Sequence, residues 1–153
     1  MHSFIFKPGQ WLGEGKITLN MMDEAMPFYT KWNVPFMDGG GILECTQEIQ
    51  IAGLSELMMN EFSLYDIGSG DFLIELENQS LGKVVGSGLI GKETIAWEFR
   101  LNHLGFEGFE FYQKIDENTY KVHAEYATTD EFRTIIHGKI WLSTLSSSSP
   151  SAS

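Results

Sequence analysis

The feature that most constrains this chain is a two-residue alternation of side-chain character that recurs along its whole body. In "LECTQEIQI" (43–51) the odd positions are Leu43, Cys45, Gln47, Ile49 and Ile51, and the even ones are Glu44, Thr46, Glu48 and Gln50. Successive side chains of a strand point to opposite faces, so this pattern gives one buried face and one wet face. The same test sets Phe72, Ile74 and Leu76 opposite Leu73, Glu75 and Glu77. It sets Ile95, Trp97, Phe99 and Leu101 opposite Ala96, Glu98 and Arg100, and Tyr120, Val122, Ala124 and Tyr126 opposite Lys121, His123 and Glu125. No segment carries a helical stripe that could cover an open sheet.

Glycine-rich or polar breaks such as "MDGGG", "DIGSGD" and "NQSLG" interrupt the alternation at short intervals. They predict ten strands, near residues 11–22, 28–35, 42–51, 56–66, 71–78, 82–90, 93–101, 105–114, 118–127 and 131–143. Short connections make successive strands antiparallel neighbours, and full closure removes the edges that would otherwise invite aggregation. The expected fold is therefore all-β, an up-and-down antiparallel barrel of about ten strands. One domain spans 1–145, and the serine-rich 146–153 reads as a flexible tail. An eight-stranded barrel can just hold one small ligand, and ten strands leave more room.

Composition narrows the partners. The 153 residues carry 21 acidic and 10 basic side chains, a formal charge of −11, which repels nucleic acid and anionic membranes alike. A single cysteine leaves no disulfide framework. No apolar run reaches the roughly 18 residues of a membrane span, and the apolar part of "MHSFIFKPGQW" is too short for a signal-peptide core. A cytoplasmic location is the expectation.

Catalytic motifs do not survive their structural context. "GSGLIG" (86–91) matches a dinucleotide fingerprint, but an alternating strand follows where a helix must receive the pyrophosphate. "GEGK" (13–16) is followed by Ile17 where a phosphate-binding loop needs Ser or Thr. His123 and Glu125 share a strand face, and His137 on the next strand could join them as metal ligands or an acid–base pair. A solvated outer face is the competing reading, and no metal site is assigned. Cys45 lies on an apolar face as a small hydrophobe. The pairs Glu75/Glu77 and Glu107/Glu110 read as outward, solubilising positions. Gln47 and Asn60 share parity with apolar neighbours, so once buried they need partners from backbone, water or ligand. Trp32 shares a face with Phe28, Thr30 and Val34, and Trp97, Phe109, Phe111 and Tyr126 come from later strands as an aromatic wall. The candidate ligand contacts are thus Trp32, Gln47, Asn60, Phe62, Trp97, Phe109 and Tyr126, with ordinary core packing as the alternative for each ring.

"GQWLGEGKI" (9–17) resembles the Gly-x-Trp opening of the first strand in the calycin superfamily, the lipocalins, fatty-acid-binding proteins and their relatives. It is similar in particular to the Gly-x-Trp-x-Gly-x-Gly opening of nitrobindin-like haem-binding barrels. The resemblance implies that Trp11 seals one end of the barrel. It implies also that a late-strand arginine packs across the indole, with Arg133 the match and Arg100 second. Neither His123 nor His137 sits in the flanking pattern of a proximal haem ligand, so no cofactor is assigned, and haem is left open without support.

The leading expectation is a cytoplasmic barrel that binds a small hydrophobic or aromatic molecule without catalysis, with homodimerisation left open. One alternative is a calycin-type enzyme, which would need Glu98, Arg100, His123 or Glu125 inside the barrel. Another is an acidic module that meets a basic protein.

Overall fold

The computed structural model describes residues 2–20, 24–37, 39–100, 105–128 and 133–143. Ten strands follow in chain order: β1 (Gly9–Leu19), β2 (Met26–Val34), β3 (Leu43–Ile51), β4 (Leu57–Tyr65) and β5 (Asp71–Asn78). They continue as β6 (Gly82–Ile90), β7 (Thr94–Phe99), β8 (Glu107–Asp116), β9 (Thr119–Ala127) and β10 (Arg133–Leu142). Each pairs antiparallel with its neighbours in sequence, and β1 also pairs with β10, which closes the barrel. The expected strands and their meander order are those observed. The proposed tail lies outside the described residues. Among the described residues no helix is long and apolar enough to cross a membrane.

Alternation places the interior as the sequence implies on most strands. Phe28, Thr30, Trp32 and Val34 of β2 are buried, as are Phe72, Ile74 and Leu76 of β5 and Ile95, Trp97 and Phe99 of β7. Glycines admit close packing where the wall is crowded. The Phe72 ring lies over Gly88, so that a Cβ there would stand 2.1 Å from it. This explains one glycine of "GSGLIG" as a packing device on a strand, with no helix after it.

The two ends of the barrel differ. At the end where β1 starts, residues ahead of the first strand fold back under the barrel. Phe4 and Ile5 are fully buried, and the Phe4 ring packs edge-on to Trp11 at 5.2 Å and Trp32 at 5.4 Å. The His2 ring spans from the Gly91 carbonyl, to which Nε2 donates at 2.6 Å, to the Tyr120 hydroxyl at Nδ1, 2.8 Å away. The Ser3 amide donates to the same hydroxyl at 3.2 Å, and the Ser3 hydroxyl donates to the Glu117 carbonyl. Trp11 therefore does lie in the closed end.

The arginine expected over Trp11 is not there. Trp11 pairs in register with Leu142, at the opposite end of β10 from Arg133. At about 3.3 Å per residue that is roughly 30 Å away. Arg133 is exposed and pairs with Glu125 at 3.6 Å, and Arg100 pairs with Glu98 on the outer wall. Rings of Phe4 and Tyr120 cover the indole in place of a guanidinium.

Candidate functional site

Toward the other end the interior is hollow. A cavity of about 420 Å³ occupies the half of the barrel where β1, β3, β5 and β9 finish. Its floor is the aromatic cluster of the closed half, presented by Trp32, Phe62 and Tyr112. Behind the floor, Trp97 packs against Tyr112 at 5.1 Å and Phe62 at 5.7 Å between ring centres. A second, smaller apolar cluster of Ile17, Phe28 and Ile51 lines the wall nearer the opening.

Two polar features interrupt this apolar lining. The first is a ladder across β2 to β5, built by residues that alternation turns inward at the same height on adjacent strands. The register sets Trp32 opposite Gln47 and Gln47 opposite Asn60. Asn78 donates through Nδ2 to Asn60 Oδ1 at 3.0 Å, and Asn60 Nδ2 to Gln47 Oε1 at 3.1 Å. Gln47 Nε2 then donates to Thr30 Oγ1 at 3.1 Å, and Thr30 to the Glu48 carbonyl at 2.9 Å. The Leu81 amide closes the other end on Asn78 Oδ1 at 2.7 Å. Each amide has one donor and one acceptor engaged, and each keeps a second N–H and a lone pair.

The second feature is Glu110 on β8, five strands from β3 in the ring of ten and so facing the ladder. It is 7 % exposed and lines the cavity. Tyr112 donates its hydroxyl to Oε1 at 2.5 Å, and Tyr126 donates to Oε2. Burial raises the Glu110 carboxyl above its usual range, and the two hydroxyl donors and the Trp97 indole N–H pull partly the other way. Burial, with the Glu110 charge adding to it, pushes both tyrosines well above theirs, so they remain donors. The Phe106 ring stacks on Tyr126 at 5.2 Å and holds that side of the pair. The indole N–H of Trp32 is buried without a hydrogen-bond partner.

This arrangement corrects the expectation for β8. Glu110 points inward, and Phe109 and Phe111 point outward at 38 % and 39 % exposure. Apolar character alone favours the phenylalanine face, but register overrides it. Glu110 lies opposite Trp97 on one side and Ala124 on the other, both inward residues, which forces Phe109 outward beside Glu98 and Glu125. Gly108, on the inward face, leaves room for the Tyr126 ring, which a Cβ there would approach to 2.3 Å. Phe109 therefore packs against His123 on the outer wall, at 5.7 Å between rings, and lines no part of the cavity.

Of the other candidate contacts, Trp32, Gln47, Asn60, Phe62 and Tyr126 line the cavity, while Trp97 lies behind its floor. Asn78, Tyr112 and Phe106 line it too and are not among the expected contacts, although Asn78 is legible by its parity with Phe72, Ile74 and Leu76. Glu98, Arg100, His123 and Glu125 all face outward, so the residues that an enzyme would need inside the barrel do not line the cavity. His123 Nδ1 does approach His137 Nδ1 at 3.1 Å, and its Nε2 lies 2.9 Å from Glu125. Among the described residues no group of three or more His, Cys, Asp or Glu is arranged to hold a metal ion. Cys45 is buried and its thiol is pushed up to about 12 by desolvation, which keeps it neutral and unreactive.

Fold and geometry together define a closed, ten-stranded antiparallel barrel with one plugged end. No protein-family model matches the chain, and no curated protein matches it in sequence. Among solved structures it is similar to an S-type phycobiliprotein lyase from Guillardia theta, with a TM-score of 0.64 at 8 % identity. The likeness covers 90 % of this chain and 89 % of that one, and at this identity it is a likeness of fold.

Proposed function

We propose that this protein binds one small, largely apolar molecule in the open half of its barrel and holds it without chemical change. The observation that carries the reading is the cavity of about 420 Å³, within the range typical of ligand sites, walled by apolar and aromatic side chains. Its two polar features, the amide ladder and Glu110, face each other and would fix the orientation of a guest. The similar solved structure is that of a phycobiliprotein lyase, and the shared barrel supports a role in holding a small molecule.

An enzymatic reading has one observation in its favour: Glu110 is a buried carboxyl with a raised proton affinity, a usual property of a general acid. Cys45, buried and neutral, and His123 and Glu125, on the outer face, do not join Glu110 at the cavity.

Native mass spectrometry of protein purified from its own host tests the proposal. A co-purifying small molecule recovered unchanged supports a carrier, and conversion of that molecule on incubation supports an enzyme. Protein that carries no guest and fails to bind the neutral apolar dye Nile red would overturn both.

A further inference from the structure

The charge inventory of the cavity narrows the guest. Among the described residues that line it there is one carboxyl, Glu110, and no lysine, arginine or histidine. The basic residues nearest the open end, Lys16, Lys83, Arg100 and Arg133, lie on the outer wall. Three of them are neutralised there: Lys83 lies 3.4 Å from Glu75, Arg133 lies 3.6 Å from Glu125, and Arg100 pairs with Glu98.

An anionic guest would therefore enter a low-dielectric space with no counter-charge among the described lining residues, opposite a carboxyl group and within a protein of charge −11. Burying an unpaired carboxylate is strongly unfavourable, and the overall field also slows its approach. A nitrogen base meets the reverse situation. The two Glu110 oxygens accept the hydroxyls of Tyr112 and Tyr126 and lie beside the Trp97 indole N–H, and of their four lone pairs at least one is left for an N–H donor from the guest. Where Glu110 carries its proton, a neutral amine takes that proton from the carboxyl oxygen, giving an ammonium–carboxylate pair and no change in net charge. Where the guest arrives protonated, Glu110 supplies the compensating anion. The ladder opposite is formed of neutral amides and a hydroxyl, so it adds no charge of either sign.

We infer that the guest is an apolar or aromatic molecule bearing a basic or N–H nitrogen that binds Glu110, and that fatty acids and other carboxylate amphiphiles are rejected. This inference rests on the carrier reading above and specifies its ligand class.

Three probes that share one ring system and differ in head group test it: naphthylmethylamine, naphthylmethanol and naphthoate, each titrated calorimetrically into the full chain at neutral pH. The expected order is amine, then alcohol, then naphthoate, with at least about tenfold between first and last, a difference of roughly 1.4 kcal/mol. Glu110→Gln, nearly isosteric, should bring the amine to within about threefold of the alcohol, both measured in that variant. Should that variant not fold, the amine-to-naphthoate ratio of the native protein decides alone. Naphthoate binding as well as the amine, or an amine preference intact in Glu110→Gln, would overturn the inference while binding of the alcohol upholds the carrier. Failure of all three probes would overturn the carrier reading and the inference with it.

Discussion

The closed and open halves of this barrel are built from the same ten strands and the same alternation, yet one is solid and the other hollow. In the closed half, Trp11, Trp32, Trp97, Tyr112 and Tyr120 meet Phe4 and Ile5 from the segment ahead of β1, and every one is at most 2 % exposed. Large rings from facing strands reach the barrel axis there, and the N-terminal segment fills the remaining gap. In the open half the inward positions carry shorter or polar side chains, among them Thr30, Gln47, Asn60, Asn78 and Ala124. A ten-stranded barrel is too wide for such residues to meet at its centre, so the space between them stays empty. The difference teaches that dense packing and open space fall at opposite ends of one structure.

The largest effect is expected from the solid half. Trp11→Ala removes a fully buried indole from between Phe4 and Tyr120 and should lower stability by about 3–5 kcal/mol, read as a fall in the urea midpoint. A loss below about 1 kcal/mol would mean that the plug is dispensable and that stability is spread evenly over the two halves.

A smaller and pH-dependent effect is expected from Glu110. Its folded-state proton affinity is raised above the ordinary value of 4.5 by burial, so the folded state holds the proton to higher pH than the unfolded chain does. The contribution is therefore fully present below the unfolded value and is lost as pH rises through the folded one. Each tenfold rise in proton affinity on folding is worth about 1.4 kcal/mol. Urea titrations of the native protein should show stability falling on the alkaline side of 4.5, and Glu110→Gln should remove that component of the slope. Identical slopes in the two proteins would show that the carboxyl is not held in a desolvated site.

The smallest effect is expected outside the barrel. Arg133→Ala breaks an exposed ion pair with Glu125 and should change stability by less than about 1 kcal/mol, with the tryptophan emission maximum unmoved. A shifted maximum would place the guanidinium near an indole after all, and so revive the arginine-capped end that the lipocalin resemblance implies.

How much of this is legible in the sequence differs from strand to strand. On β3, β5, β7 and β9 one face is plainly apolar, so both the strand and its orientation can be read from alternation. Gln47 and Asn60 stand out because polar residues in an apolar row must find partners once buried. On β8 both faces carry aromatic residues: Phe109 and Phe111 on one, Tyr112 beside Glu110 on the other. Hydropathy then chooses the wrong phase, and a one-residue slip turns every side chain to the other face. Only the pairing with Trp97 and Ala124 resolves it. The burial of Phe4 and Ile5 carries no periodic signal, because that segment precedes the first strand and folds as turns beneath the barrel.

The local pattern by itself determined the ten strands, their meander order and the acidic balance of the chain. These follow from side-chain periodicity, short turns and net charge, which are properties of neighbouring residues or of the whole chain. Tertiary structure decided which end is plugged, that Glu110 faces the amide ladder across a cavity, and that Arg133 is remote from Trp11. Those are relations between residues far apart in the chain, set by register around a closed ring, and a one-dimensional pattern does not encode them.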